Sequence, residues 1–294
     1  MKTRYDPLND YLFFKVMGEK GDEVQLLGFL NAVLGRTGND MFSSVEIVQN
    51  RSFSAEVIGD KSSILDVRAV LQSNTRVNVE VQLRNQHNMD KRSLFYWSKE
   101  YSKCLRSGQD YRELPDVIAI NIVNFNFLNT GDYHTCFHLR EDRDRDIILT
   151  GALEMHFLDM VKYRKQGRAK LNDPLCRWLA WLDAGSPVEL VTEAVKMDAA
   201  IQSADERMVY VTGDEEAIHA YEMRQMALSD LTSVQNYAHD TGLEEGLKAG
   251  RMEGLKEGRT DAMHEIALKM MNMGDSVEKI HQVTGLSVET IGNL

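Results

Sequence analysis

Asp66, Glu80 and Gln82 are the residues of this chain whose types and spacing point to chemistry. Asp66 lies in Ser63-Ile-Leu-Asp-Val-Arg-Ala-Val-Leu-Gln72. Glu80 and Gln82 lie in Arg76-Val-Asn-Val-Glu-Val-Gln-Leu83, after a polar break at Ser73-Asn74-Thr75. Both stretches alternate with period two, the pattern of half-buried strands. Leu65, Val67, Ala69 and Leu71 share one face, and so do Val77, Val79, Val81 and Leu83. The opposite faces carry Asp66 and Arg68, then Asn78, Glu80 and Gln82. With both apolar faces in one core, Asp66, Glu80 and Gln82 project from the same polar side. A two-residue turn at Ser73-Asn74 would set Asp66 against the apolar Val81. A three-residue loop, Ser73 to Thr75, puts Asp66 opposite Gln82 and makes Glu80 the diagonal neighbour, about 7–8 Å away by Cα. Two carboxylates at that range repel, and a divalent cation relieves the repulsion.

Asp followed by Glu-X-Gln on the next strand resembles the active site of the PD-(D/E)XK nucleases. The last motif position there is usually Lys; here it is Gln82. Further segments resemble the Rpn group, described as recombination-promoting nucleases or putative transposases. They are Asn9-Asp-Tyr-Leu-Phe-Phe-Lys15, Arg92-Ser-Leu-Phe-Tyr-Trp-Ser-Lys99 and the Glu-Gly repeats of the tail. The resemblance covers nearly the whole chain. It implies an α/β fold: a restriction-endonuclease-like core with a central mixed β-sheet flanked by helices, here followed by a helical C-terminal region. It also implies an acidic residue near the metal from the first segment, where Asp10 is the matching position.

The elements that must position these residues read as follows. Helices are expected over 8–18, starting at Asp6-Pro7, and over 22–34. Strand is expected over 45–58, broken at Gly59-Asp60. A helix over 88–108 repeats Leu94, Trp97, Tyr101 and Leu105 at spacings of three and four, with Gly108 as its cap. From Arg84 to Arg112 there are seven Lys or Arg against three acids, the one clearly basic stretch of an acidic chain. Arg92 and Tyr96 share a helix face. With Lys99 and Lys103 they are the candidate nucleic-acid contacts, directly after the candidate site. Asp116 to Asn124 reads as a buried central strand, and 133–140 and 148–157 as two more. His134, His138 and His156 stand on or near these strands and are read as packing or surface residues. A basic loop, Lys162 to Lys170, marks the edge of this part. Helices follow over 175–182, 187–197, 204–211 and 215–229.

The tail repeats Gly242, Gly246, Gly250, Gly254 and Gly258 at spacing four. Each Gly costs about 1 kcal/mol against Ala in a helix, so a lone helix is expected to be marginal and a flexible linker is the alternative. A glycine stripe lets two helices approach closely. Residues 261–274 and 276–294 suggest further short helices with helix-turn-helix spacing. The expected division is a nuclease core over 1–160, a helical extension over 161–240 and an oligomerising tail over 241–294.

Composition sets limits. Hydrophobic residues make up 43% and charged residues 27%, ordinary for a soluble globular protein. The net charge of −11 means that DNA contact must come from a local patch and metal ions. Cys104, Cys136 and Cys176 are far apart, with no CxxC, so neither a disulfide framework nor a zinc site is suggested, which fits a reducing cytoplasm. The Met1-Lys-Thr-Arg-Tyr-Asp-Pro7 start has no apolar run behind its charges, so no signal peptide is expected. No stretch approaches the roughly 20 apolar residues of a membrane span.

The reading is a metal-dependent DNA endonuclease. Asp66 and Glu80 hold Mg²⁺, or Mn²⁺, with the Val81 carbonyl as a further ligand. Gln82 orients water or contacts phosphate but lacks the charge of Lys. The partners expected are DNA and a second copy of the chain through the tail. The rivals are a nuclease-derived DNA-binding module that no longer cuts, and an oligomeric interaction protein.

Overall fold

The computed structural model describes residues 4–48, 66–166 and 170–294. Among these, six strands form one sheet: β1 (Val45–Ile47), β2 (Val67–Leu71), β3 (Arg76–Gln82), β4 (Val117–Val123), β5 (His134–Phe137) and β6 (Leu153–Asp159). Their order is β1-β2-β3-β4-β6-β5. β1, β2 and β3 pair antiparallel, β3, β4 and β6 parallel, and β5 returns antiparallel on β6. The sheet is mixed, as the family resemblance implies. β4 is buried at every position, which its unbroken apolar run requires of a central parallel strand. β5 and β6 are shorter or later than the predicted 133–140 and 148–157. Predicted strand beyond residue 48, the Gly59-Asp60 break, Ser63 to Leu65, and Gly167 with Arg168 of the basic loop lie outside the described residues.

The two sheet faces are unequal. Val77, Val79, Val81, Ile118, Ile120, Ile122 and Leu158 join one large core. The helices contributing to it include α1 (Asp10–Met17), α2 (Glu23–Val33), α4 (Met160–Gln166), α5 (Pro174–Leu182), α6 (Val188–Met197) and α7 (Ala199–Val211), and Ala217, Ala220 and Tyr221 join it as well. Trp178 and Trp181 of α5 are almost wholly buried there, each a burial of the kind that contributes about 1.5–3 kcal/mol. The opposite face is covered by α3 (Met89–Ser102), through Met89 and Trp97 packed on Ala119, Val123, Met155 and Phe157. α3 ends at Ser102, six residues before the predicted end. α1 starts later than Asp6-Pro7 suggests, because Asn9 caps it: its Oδ1 accepts from the Tyr11 and Leu12 amides.

The β2–β3 hairpin has the odd loop length predicted, but the loop is Gln72 to Asn74. The Leu71 amide donates to the Thr75 carbonyl at 2.9 Å, and the Asn74 amide to the Leu71 carbonyl at 2.9 Å. Asn74 takes a left-handed φ of 63°. A three-residue hairpin loop needs its last residue there. A loop over Ser73 to Thr75 would place β-branched Thr75 in that conformation, whereas Asn tolerates it. The register is therefore Val67↔Val79 and Arg68↔Asn78. One residue further on, Asp66 stands opposite Glu80, not opposite Gln82.

The chain separates into two compact units, Met1–Leu228 and Ser229–Leu294. The boundary falls inside α8, a continuous helix over Glu215–Asn272 that contains all five repeat glycines. In the second unit, α9 (Val277–Thr284) and α10 (Val288–Gly292) share a small core with the end of α8, through Ala267, Ile280 and Ile291. Segment 261–274, predicted as a separate helix, is thus the end of α8. No helix among the described residues is long and apolar enough to cross a membrane.

Candidate active site

Glu80 lies at the centre of β3, 2% exposed, on the face that α3 covers. Alternation along β3 put it on a polar side, but the helix closes over that side. The amphipathic sequence of α3 explains the closure. Met89 and Ser93 are buried, and Trp97 Nε1 donates to the Val117 carbonyl at 2.8 Å. That seating carries Arg92 to Glu80. Arg92 Nε and Nη2 both donate to Glu80 Oε1, at 3.0 and 2.9 Å. The Arg92 guanidinium also lies over the Tyr96 ring, 5.3 Å from its centroid. Burial pushes the Glu80 carboxyl above its usual range. The Arg92 charge opposes that shift and the neighbouring Asp66 charge adds to it.

Asp66 sits just before β2 and accepts from Arg68 Nε at 2.7 Å. Arg68, Arg76 and Lys103 gather around Glu100, at 3.7, 3.7 and 3.6 Å. Lys103 is therefore partly neutralised, while Lys99 is exposed. Gln82 turns its amide along its own chain, Nε2 donating to the Arg84 carbonyl at 3.1 Å. The Val81 side chain enters the large core.

Asp10 is engaged in an ion pair with Arg224. Arg224 of α8 donates from Nε to both of its oxygens, at 3.0 and 2.9 Å. Arg84 was legible only as one charge of a basic stretch. It is half-buried, with no acidic partner and no hydrogen bond to Nη1 among the described residues. The register brings Asp66, Glu80 and Arg92 together, with Tyr96 behind Arg92.

These residues suit a hard divalent cation. Two carboxylates face each other across a hairpin, and the buried one relies on a single guanidinium for compensation. Oxygen-only ligands of this kind favour Mg²⁺ or Mn²⁺.

A second grouping was not read from the sequence. Cys136, His138 and Glu154 converge across the β5–β6 ladder.

The family model described as PD-(D/E)XK nuclease family transposase matches residues 7–238 of the chain. No curated protein and no solved structure matches it.

Proposed function

The chain belongs to the PD-(D/E)XK nuclease family transposases, and from that footing we propose that it is a divalent-metal-dependent endonuclease hydrolysing DNA phosphodiester bonds. The observation that carries the reading is the facing of Asp66 and Glu80, with Arg92 bound to Glu80. Asp66 and Glu80, with the Val81 carbonyl, would hold Mg²⁺ or Mn²⁺. Such an ion supplies Lewis-acid polarisation of the phosphate and a more acidic attacking water.

The chain's own residues do the rest. Glu80 keeps a carboxylate in a water-poor position. Arg92 neutralises it in the absence of a cation and becomes available to a phosphate oxygen when Glu80 takes another partner. Arg84 offers a second guanidinium beside Gln82, on a strand whose motif lacks Lys. Gln82 orients the attacking water or contacts phosphate through its amide. Lys99 and Tyr96 extend the DNA contact along α3. Asp10 belongs to the site only if its bond to Arg224 opens.

We assign the cut to recombination or transposition of the Rpn type, in the cytoplasm, whose reducing conditions suit a chain with three scattered cysteines and no CxxC. The proposed working form is a homo-oligomer made through the tail, with the division 1–160, 161–240 and 241–294. Along α8 a Cβ at any of the five repeat glycines would meet nothing within 4 Å. Leu243, Leu247 and Leu255, each following a glycine, are exposed.

A plasmid-nicking assay with Mg²⁺, Mn²⁺ or EDTA tests the reading. Nicking with metal and none with EDTA is expected. Salt-sensitive DNA binding without cleavage would replace it with a DNA-binding module. The bond from Gln82 to the Arg84 carbonyl favours that second reading.

A further inference from the structure

We propose that Cys136, His138, Glu154 and His156 form a second metal site, for a zinc-class ion. The site is separate from the Asp66–Glu80 pair. The four residues come as Cys-Phe-His on and just after β5, and Glu-Met-His on β6. In the antiparallel register Cys136 stands opposite His156 and Phe137 opposite Met155. One step further, His138 stands opposite Glu154. Period two then places all four donors on one face. Phe137 and Met155 turn to the other face, where Phe137 meets the Phe157 ring at 5.9 Å. Glu80 shares a face with Asn121 and Phe157, whereas His156 shares one with Ile120. The two candidate sites are thus on opposite sides of the sheet.

The donor spacing of Cys136, His138 and Glu154 approaches that of a tetrahedral zinc site, and His156 is the fourth donor beside Cys136 and Glu154. Bond lengths of about 2.0–2.3 Å at tetrahedral angles set donor atoms about 3.3–3.8 Å apart. Cys136 Sγ is 3.3 Å from His138 Nε2, 3.7 Å from His156 Nε2 and 4.0 Å from Glu154 Oε1. Cys136, His138 and Glu154 donor atoms all fall within 4.8 Å of one another. His156 Nε2 and Glu154 Oε1, now hydrogen-bonded at 2.7 Å, need only part by less than about 1 Å. For Nε2 to ligate, the imidazole proton must sit on Nδ1. An acceptor waits there: His134 Nε2, 2.9 Å from His156 Nδ1. Such an outer partner fixes the tautomer of a metal-bound histidine.

The ligand chemistry selects the ion. Thiolate and imidazole favour Zn²⁺ over Mg²⁺. A thiolate and a carboxylate balance the charge of one divalent ion, with the thiol proton released on binding. Four protein ligands leave no open position, so the ion would be structural, pinning the edge strand β5 to β6.

The test uses untagged full-length protein, stripped with a chelator and reloaded with Zn²⁺ or Co²⁺ in excess Mg²⁺. One Zn²⁺ per chain and a thiolate-to-cobalt absorption band are expected. Cys136→Ser should lose the band. His138→Ala and Glu154→Gln, at half-exposed positions, should bind about tenfold or more weakly. Glu80→Gln should bind as the unaltered protein does. Absence of the band in the unaltered protein, or Zn²⁺ binding unchanged by His138→Ala and Glu154→Gln, overturns the site. Should Cys136→Ser not fold, the other two variants still decide.

Discussion

Arg92 reaches across from α3 and gives both Nε and Nη2 to a single oxygen of Glu80 on β3. The Glu80 side chain is 3% exposed and that of Arg92 17%, so this is an ion pair largely out of water. Removing one partner of a buried pair leaves the other charge uncompensated, which costs about 3–5 kcal/mol. Arg92 retains some exposure, so Arg92→Ala should cost about 2–4 kcal/mol in EDTA. Mg²⁺ or Mn²⁺ should recover more of the melting temperature in Arg92→Ala than it adds to the unaltered protein. Thermal unfolding with and without metal measures this. An equal metal shift in both would place the cation away from Glu80.

Asp66→Ala and Glu80→Gln should each abolish DNA cleavage while the protein stays folded. Asp66 lies at the hairpin edge and opens no core cavity. Gln is isosteric with Glu and leaves Arg92 a carbonyl acceptor. Circular dichroism and the nicking assay, run on the same preparations, separate folding from function. Full activity in folded Asp66→Ala removes Asp66 from the site.

Gln82→Lys should be tolerated and should preserve or raise cleavage. Among the described residues the side-chain bond it forfeits is the one to the Arg84 carbonyl, and it adds a charge beside the phosphate. If the rate falls to nothing while metal is still bound, the Gln82 amide has a required role.

Asp22 gives a stability signature distinct from activity. It is buried, accepts from Gln25 Nε2 at 3.0 Å and lies 3.3 Å from Arg207 Nε. Burial pushes its carboxyl from the ordinary 3.8 up to about 6. Between those pH values the folded chain holds a proton that the unfolded chain has lost. Stability contributed by protonated Asp22 is therefore present below about pH 4 and lost as pH rises through 6. Asp22→Asn removes that loss. Relative to the unaltered protein it should be more stable by about 1–2 kcal/mol at pH 7, with no gain at pH 4. Melts at pH 4, 5, 6 and 7 check the trend, and a difference independent of pH would refute it.

Truncation after Asp240 should yield a monomer that binds metal and nicks DNA but rarely cuts both strands. The five repeat glycines cost α8 about 5 kcal/mol against Ala. The exposed Glu244–Lys248 pair returns only a few tenths of a kcal/mol. Close packing of a second copy on the glycine side would offset the rest. Light scattering compares chain count in the intact and truncated proteins. The same count in both takes the tail out of assembly.

The sequence by itself determined the alternation of β2 and β3, the apolar run of β4 and the amphipathic stripe of α3. These patterns are local, set by period two or by spacings of three and four. They sufficed to place Asp66, Glu80 and Gln82 on one side of a hairpin and Arg92 on the helix that follows. Even the loop had a legible signal, because Asn74 suits a left-handed position and Thr75 does not.

Tertiary structure decided what alternation cannot say. Whether a polar strand face meets water or a helix depends on what packs there, so the burial of Glu80 waits on α3. Asp10 and Arg224 meet only because the start of α8 enters the core that also holds α1, far apart in sequence though they are. Cys136 and His138 face Glu154 and His156 through one pairing register between strands many residues apart. No spacing within either strand encodes that register. The ladder hydrogen bonds fix it, and with it the donor set.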